Sequence, residues 1–176
     1  MRKQIETSNS RTMAASIKNW VTDLKREHHQ ACFSDFQMEH RLEYVATIKG
    51  VQYINDSKAT NVNATWYALE ATEGPIVLII GGIDKGNDYT ILQEVAKEKV
   101  GAIICLGKDN RKLLSAFTGV VPRITEAKTM DEAVNKATWY TAGIRTIMLS
   151  PACASFDLFE NYIDRGKKFK EAVLRM

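Results

Sequence analysis

The chain has 176 residues, 45% of them apolar and 26% charged, with a formal net charge of +3 from 24 basic and 21 acidic side chains. That length fits one ordinary domain, or one domain with a fragment of a second, and the composition excludes a largely disordered or low-complexity chain. No run approaches the ~18 apolar residues of a membrane span, the charge is too balanced to demand nucleic acid, and the three cysteines sit in no CxxC motif. The expectation is a cytoplasmic protein without membrane, nucleic acid or metal as partner.

Residues 12–29 place Met13, Ile17, Trp20, Val21 and Leu24 at helical spacing, which predicts a leading helix with one buried stripe. Residues 32–39 read as a linker, so 1–39 look like the tail of another domain. From His40 the pattern changes. Residues 42–48 and 51–54 flank Lys49-Gly50 and predict a hairpin. A helix is predicted over 61–71 through Val62, Trp66 and Leu69, then a strand over 76–80 and a helix near 89–99. A strand over 102–106, helices near 110–117 and over 131–141, a strand over 146–149 and helical sequence over 156–175 complete the series. Fully apolar strands alternating with helices predict an α/β fold: a mostly parallel, doubly wound, Rossmann-like sheet with an N-terminal hairpin and a leading helix.

Four of these strands run into small or polar residues: Asn55-Asp56-Ser57-Lys58, Gly81-Gly82-Ile83-Asp84-Lys85, Gly107-Lys108-Asp109, and Ser150-Pro151-Ala152-Cys153-Ala154-Ser155. Open parallel sheets bind ligands beyond the carboxyl ends of their strands, so these loops are expected to line one rim. If the chain stays extended beyond Asn55, then Asp56, Lys58 and Thr60 share one side, where they suit a polar ligand or a metal–phosphate group. An internal Asp–Lys ion pair, with Thr60 or Asn61 capping the next helix, explains the same residues. Lys85 follows two glycines but belongs to neither a Walker A loop nor GxGxxG, and it reads equally as a solvated turn lysine. With a helix expected from Phe156, the run ending at Ser155 would aim backbone N–H groups at a carboxylate. The only histidines are His28, His29 and His40, all ahead of the sheet, which argues against a serine hydrolase triad, and Cys153 reads as a small buried residue.

His40-Arg41-Leu42-Glu43, Asn55-Asp56-Ser57-Lys58-Ala59-Thr60-Asn61, Gly81-Gly82 with Lys85-Gly86, and Leu149-Ser150-Pro151-Ala152-Cys153-Ala154-Ser155-Phe156-Asp157 resemble, in this order and spacing, the motifs of the Mur ligases. The resemblance covers nearly all of residues 40–176. It implies that they form the C-terminal amino-acid-binding domain of such an enzyme, with 1–39 as a remnant of its ATP-binding central domain. The activity implied is an ATP-dependent amide ligase of peptidoglycan synthesis, and so of cell-wall growth, shape and division. In this family ATP and Mg2+ convert a carboxylate to an acyl phosphate, which the amino group of D-glutamate attacks. The partners implied are D-glutamate and, through the other domains, UDP-N-acetylmuramoyl-L-alanine. By position in the motifs, Thr60, Lys85, Ser155, Phe156 (through its backbone) and Tyr162 would line the D-glutamate site, while Arg41, Asp56 and Lys58 would reach the nucleotide across a domain cleft.

The family's phosphate-binding loop, metal ligands and carbamoylated lysine belong to the central domain. No catalytic or metal-binding residue is therefore assigned here, and these 176 residues are expected to be inactive alone. Thr7-Ser8-Asn9-Ser10-Arg11 stands where His-Asn-x-x-Asn is usual, the linker through Phe36 and Gln37 lacks a usual glycine, and Ile144-Arg145 replaces Gly-Asp. These departures keep a second reading open, a non-catalytic interaction or binding module derived from such a ligase.

Overall fold

Lys49 and Gly50 both adopt left-handed backbone angles (φ +51° and +81°), the arrangement that matches a two-residue turn to the twist of paired strands. In the computed structural model, which describes residues 39–176, this turn joins β1 (Glu43–Ile48) to β2 (Val51–Asn55) in an antiparallel pair. Val51, Tyr53 and Asn55 are buried while Gln52 is exposed, the alternation of a strand with one covered face. The chain then alternates: α1 (Val62–Ala71), β3 (Ile76–Ile80), α2 (Thr90–Lys99), β4 (Val100–Leu106), α3 (Arg111–Phe117), β5 (Ile124–Ala127), α4 (Met130–Thr138), β6 (Thr146–Leu149) and α5 (Tyr162–Leu174). Three helices start on a side-chain cap. Asn61, Thr129 and Asn161 accept from the backbone N–H groups of Ala64, Glu132 and Asp164.

The six strands form one sheet in the order β1-β2-β6-β3-β4-β5, and every pairing beyond the hairpin is parallel. All five residues of β3 are fully buried, as central parallel strands with two covered faces must be. Ile76, Leu78 and Ile80 pack with Leu69, Leu92, Leu113 and Phe117 of α1, α2 and α3. Val77 and Ile79 pack on the opposite face with Met130 and Val134 of α4 and Phe169 and Val173 of α5. Each such aliphatic side chain withdrawn from water contributes about 2 kcal/mol, so the two layers hold the sheet from both sides. The last strand, β6, inserts between β2 and β3, which makes the sheet doubly wound.

The expected fold class is therefore observed, with two corrections. Residues 124–127 form an additional edge strand, β5, beside β4. The last helix begins at Tyr162 rather than Phe156, because residues 156–161 turn to bring Leu158 and Phe159 against the α4–α5 layer before Asn161 caps α5. The leading helix over 12–29, the linker and the departures at 7–11 and 36–37 lie outside the described residues. Among the described residues no helix is long and apolar enough to cross a membrane.

Candidate functional site

Because β2, β6, β3 and β4 are mutually parallel neighbours, their carboxyl ends meet along one edge. The loops beyond them are joined by hydrogen bonds from strand to strand. Asp56 N–H donates to Leu149 O (2.8 Å), Gly81 N–H to Pro151 O (2.9 Å), and Ile83 N–H to Ala154 O (2.8 Å). Lys108 N–H donates to Asp157 Oδ2 (3.1 Å). The expected rim is thus present, and its loops carry Thr60, Lys85 and Ser155. Two glycines permit this closeness: Gly81 and Gly82 sit at φ +135° and +131°, and a Cβ on either would overlap the carbonyl of Leu106 or Ala154.

The segment after β2 is not extended. Ala59 N–H donates back to Asp56 O (2.9 Å), so the chain turns and Asp56, Lys58 and Thr60 do not share an extended face. Asp56 is 4% exposed; its Oδ2 accepts from Ser150 Oγ (2.7 Å) and its Oδ1 from Leu42 N–H (3.2 Å). Ser150 Oγ also lies 3.1 Å from Thr65 Oγ1. Burial in this hydroxyl-lined position pushes the Asp56 carboxyl up to about 7, against the opposing pull of Ser150 and Leu42. Thr60 is exposed, Lys58 is half-buried with its N–H donating to His40 O (2.9 Å), and Asn61 caps α1.

Arg41 is exposed between two residues with left-handed backbone, His40 (φ +68°) and Leu42 (φ +41°). Both neighbours are fixed. His40 is buried; its N–H donates to Glu43 Oε2 (2.9 Å), and its Nδ1 accepts from Asn55 Nδ2 (2.9 Å). Burial lowers its pKa, which favours the neutral ring this acceptor role requires. Gly166 makes room for the imidazole, since a Cβ there would overlap it, and Lys170 ties Glu39 to Glu43 at 2.6 and 2.9 Å. Strain of this kind persists only where surroundings over-determine it, and here it presents a guanidinium at the same edge.

Ser155 is buried, but it does not start a helix. Its carbonyl accepts from Phe159 N–H (3.0 Å) in a turn, so the expected helix N-terminus at this point is absent, and α5 takes its cap from Asn161. Phe156 is 65% exposed. Tyr162 opens α5, its carbonyl accepting from Ser57 Oγ (2.7 Å) and its ring edge-on to His40. Lys85 is exposed in a loop shaped by Asp84, whose Oδ1 accepts from Gly86 N–H (2.6 Å), Asn87 N–H (3.0 Å) and Lys112 Nζ (3.2 Å). The Cys153 thiol is buried against Tyr89 and Asn87, and burial pushes its pKa up, as suits a packing residue rather than a nucleophile.

One residue of this edge was not singled out by sequence. Arg165, on α5, is among the largest fully buried side chains and reaches three of the loops. Its signal was phase: 165, 169, 172 and 173 recur on one helix face, and the other three are apolar. A groove of about 490 Å³ between α1 and α2, lined by Trp66, Glu94 and Lys97 among others, lies on a helical face and contains none of the rim residues.

Residues 40–153 match the family described as Mur ligase, glutamate ligase domain. Over 165 residues the chain is 50% identical to a UDP-N-acetylmuramoylalanine–D-glutamate ligase of Porphyromonas gingivalis, a match covering 93% of this chain and 37% of that protein. A protein of the same name from Christiangramia forsetii is 53% identical over 162 residues, covering 92% and 36%. The chain thus spans little more than a third of the length of these curated relatives. Among solved structures, Mycobacterium tuberculosis folylpolyglutamate synthase complexed with ADP is similar with a TM-score of 0.54 at 13% identity, covering 77% of this chain and 32% of that one. MurF from Acinetobacter baumannii is similar with a TM-score of 0.50 at 16% identity, covering 64% and 27%. These two likenesses concern the fold alone.

Proposed function

Because the chain belongs to the Mur ligase family, we propose that it forms the C-terminal, amino-acid-binding part of an ATP-dependent ligase adding D-glutamate to UDP-N-acetylmuramoyl-L-alanine in peptidoglycan synthesis. The observation that supports this reading most strongly is the stitched edge, on which the loops of Thr60, Lys85 and Ser155 are hydrogen-bonded neighbours of one central strand.

D-glutamate presents two carboxylates and one amine. The Lys85 ammonium and the hydroxyls of Thr60 and Ser155 complement the carboxylates, with the Phe156 backbone and Tyr162 closing the site. Charge-assisted hydrogen bonds of this type contribute roughly 1.5–3 kcal/mol each, enough to orient a small dianion without holding it tightly. Orientation is what the reaction needs. The amine nitrogen attacks the acyl-phosphate carbon, the carbon–oxygen bond to phosphate breaks, inorganic phosphate leaves, and the ammonium proton is released to give the amide.

ATP is the energy source in this reading, and Arg41, held outward on strained backbone, suits a phosphate oxygen. Lys58 joins it on that side, while Asp56, with both oxygens engaged inside the fold, holds the Leu42 amide and so the turn that carries Arg41. Among the described residues no three of His, Cys, Asp and Glu gather into a protein cage for a metal, and Mg2+ in this reading would be held mainly by nucleotide phosphates and water with one or two carboxylates. A cytoplasmic location accords with the UDP-linked substrate.

Isothermal titration of the chain with D-glutamate, with L-glutamate as control, tests the reading. Weak binding of the D enantiomer is expected, reduced roughly 10- to 100-fold in Lys85→Ala and in Ser155→Ala as one charge-assisted contact is lost. Equal heats for both enantiomers, or variants that bind as well as the parent chain, would refute it.

A further inference from the structure

Arg165 is 1% exposed, yet among the described residues no carboxylate lies within ion-pair distance of it. Its partners are neutral oxygens. Nε donates to Ser57 Oγ (3.0 Å) and Nη2 to Ser57 O (2.9 Å), while Nη1 donates to Cys153 O (3.1 Å) and Gly81 O (3.5 Å). Ser57 follows β2, Gly81 follows β3 and Cys153 follows β6, so one planar group holds three separate loops. Ser57 precedes Lys58 and Thr60, Gly81 opens the loop that carries Lys85, and Cys153 stands two residues before Ser155. Ser57 Oγ donates onward to Tyr162 O, which adds the start of α5 to the same assembly.

Burying a guanidinium among carbonyls and a hydroxyl is costly, and an apolar residue in phase with Phe169 would fill the space without that cost. Burial lowers the Arg165 pKa to about 10, which leaves it protonated at neutral pH. Its positive charge therefore persists beneath an edge where anions are expected, with Asp56 and Asp157 acting on it from beyond ion-pair distance. Only a rigid fork with donors on several sides spans these loops; a lysine, with one donor atom on a flexible stem, retains the charge but cannot bridge them.

We propose that Arg165 is the positioning residue of the carboxylate-binding edge, fastening the Thr60, Lys85 and Ser155 loops in mutual register and biasing the mouth toward anions. This inference rests on the reading of that edge as the D-glutamate site. Its defining juxtaposition is one buried guanidinium shared by the carbonyls of Ser57, Gly81 and Cys153.

The test is NMR on the 176-residue chain and on Arg165→Lys. In the variant, amide exchange is expected to quicken at Ser57, Gly82, Ile83 and Ser155 but not at Leu78 or Ile104, and D-glutamate affinity to fall about tenfold as preorganisation is lost. In the parent chain, the Arg165 Nε–H resonance is expected to shift on titration with D-glutamate and to saturate with the loop amides, a response that purely structural packing would not give. Unchanged loop exchange in Arg165→Lys, or an Arg165 resonance that stays still while the loop amides saturate, would overturn the proposal. If D-glutamate moves no resonance of the parent chain, the reading of the site fails instead, while loop exchange in the variant still decides whether the strap exists. Should Arg165→Lys not fold, the Nε–H titration in the parent chain decides alone.

Discussion

Replacing Asp56 by asparagine probes the carboxyl that the fold perturbs most usefully. In the folded chain burial raises its pKa from 3.8 to about 7, so the native state holds that proton more tightly than the unfolded state does. Below about pH 4 both states are protonated. Between about pH 4 and pH 7 the unfolded chain gives up the proton and the folded chain keeps it, so each upward step in pH favours unfolding; above about pH 7 both are ionised and the dependence ends. A displacement of about three pH units amounts to ~4 kcal/mol across that window. Asp56→Asn removes the titration but keeps an oxygen for the Leu42 N–H and turns an amide NH2 toward Ser150 Oγ, which can accept from it. Urea unfolding of both proteins at intervals from about pH 4 to pH 8 isolates the effect. The stability difference cancels other titrating groups such as Asp84 and Asp109, whose lowered pKa values act in the opposite sense. The variant is expected to gain on the parent chain steadily to about pH 7 and then to hold a constant margin. A difference independent of pH would refute the argument that burial of the Asp56 carboxyl outweighs the opposing pull of Ser150, Leu42, Arg41 and Arg165.

Gly82→Ala places a Cβ against the Ala154 carbonyl at a backbone angle that L residues rarely adopt, and is expected to lower the urea midpoint by the equivalent of about 3 kcal/mol; an unchanged midpoint would show that the two loops are not in contact. Asn61→Ala removes the acceptor for Ala64 N–H at the start of α1 and is expected to cost about 1 kcal/mol, read from the same unfolding curve, with no effect at α4 or α5 by amide exchange.

The sheet was legible where its strands are unambiguous. Ile76–Ile80 and Thr146–Leu149 are short apolar runs buried on both faces, and Lys49-Gly50 leaves a hairpin few alternatives. Ile124–Ala127 was not legible, since Ile-Thr-Glu-Ala at a sheet edge keeps a polar middle that resembles any loop. The start of α5 was misread because Phe156, Leu158 and Phe159 mimic a helical face, although Leu158 and Phe159 in fact pack down from a turn. A better signal lay in Asn161 and Asp164: the asparagine accepts the Asp164 N–H, and the Asp164 carboxylate accepts the Glu160 N–H, a reciprocal stop that only side-chain chemistry reveals. The loops of the candidate site were read correctly as neighbours, because parallel order alone puts them on one edge. What sequence could not supply was direction. The residues leave Asp56 open between a ligand and an internal ion pair, and the resemblance sends it to the nucleotide; it turns in to a hydroxyl pair, Ser150 and Thr65.

Backbone strain and buried charge fall at the same end of the sheet. His40, Leu42, Ala152, Gly81 and Gly82 all have left-handed backbone at the carboxyl edge of the parallel strands, whereas Lys49-Gly50 serves an ordinary turn at the other end of the hairpin. Four of these positions are tied: His40 O by Lys58 N–H, Leu42 N–H by Asp56, Ala152 O by Asn87 Nδ2, and Gly81 O by Arg165. Asp56 and Arg165, both buried and both shifted against their charged forms, stand among them. None of these features is needed to hold a six-stranded sheet whose two aliphatic layers are already closed. A fold selected for stability alone would have relaxed the strained angles and replaced both charges with apolar groups, as the α2–α4 end of the sequence does without exception in its buried strand residues. Their concentration on one edge, beside the loops of Arg41, Thr60, Lys85 and Ser155, supports the proposal that this edge is a site in which precise placement outweighs stability.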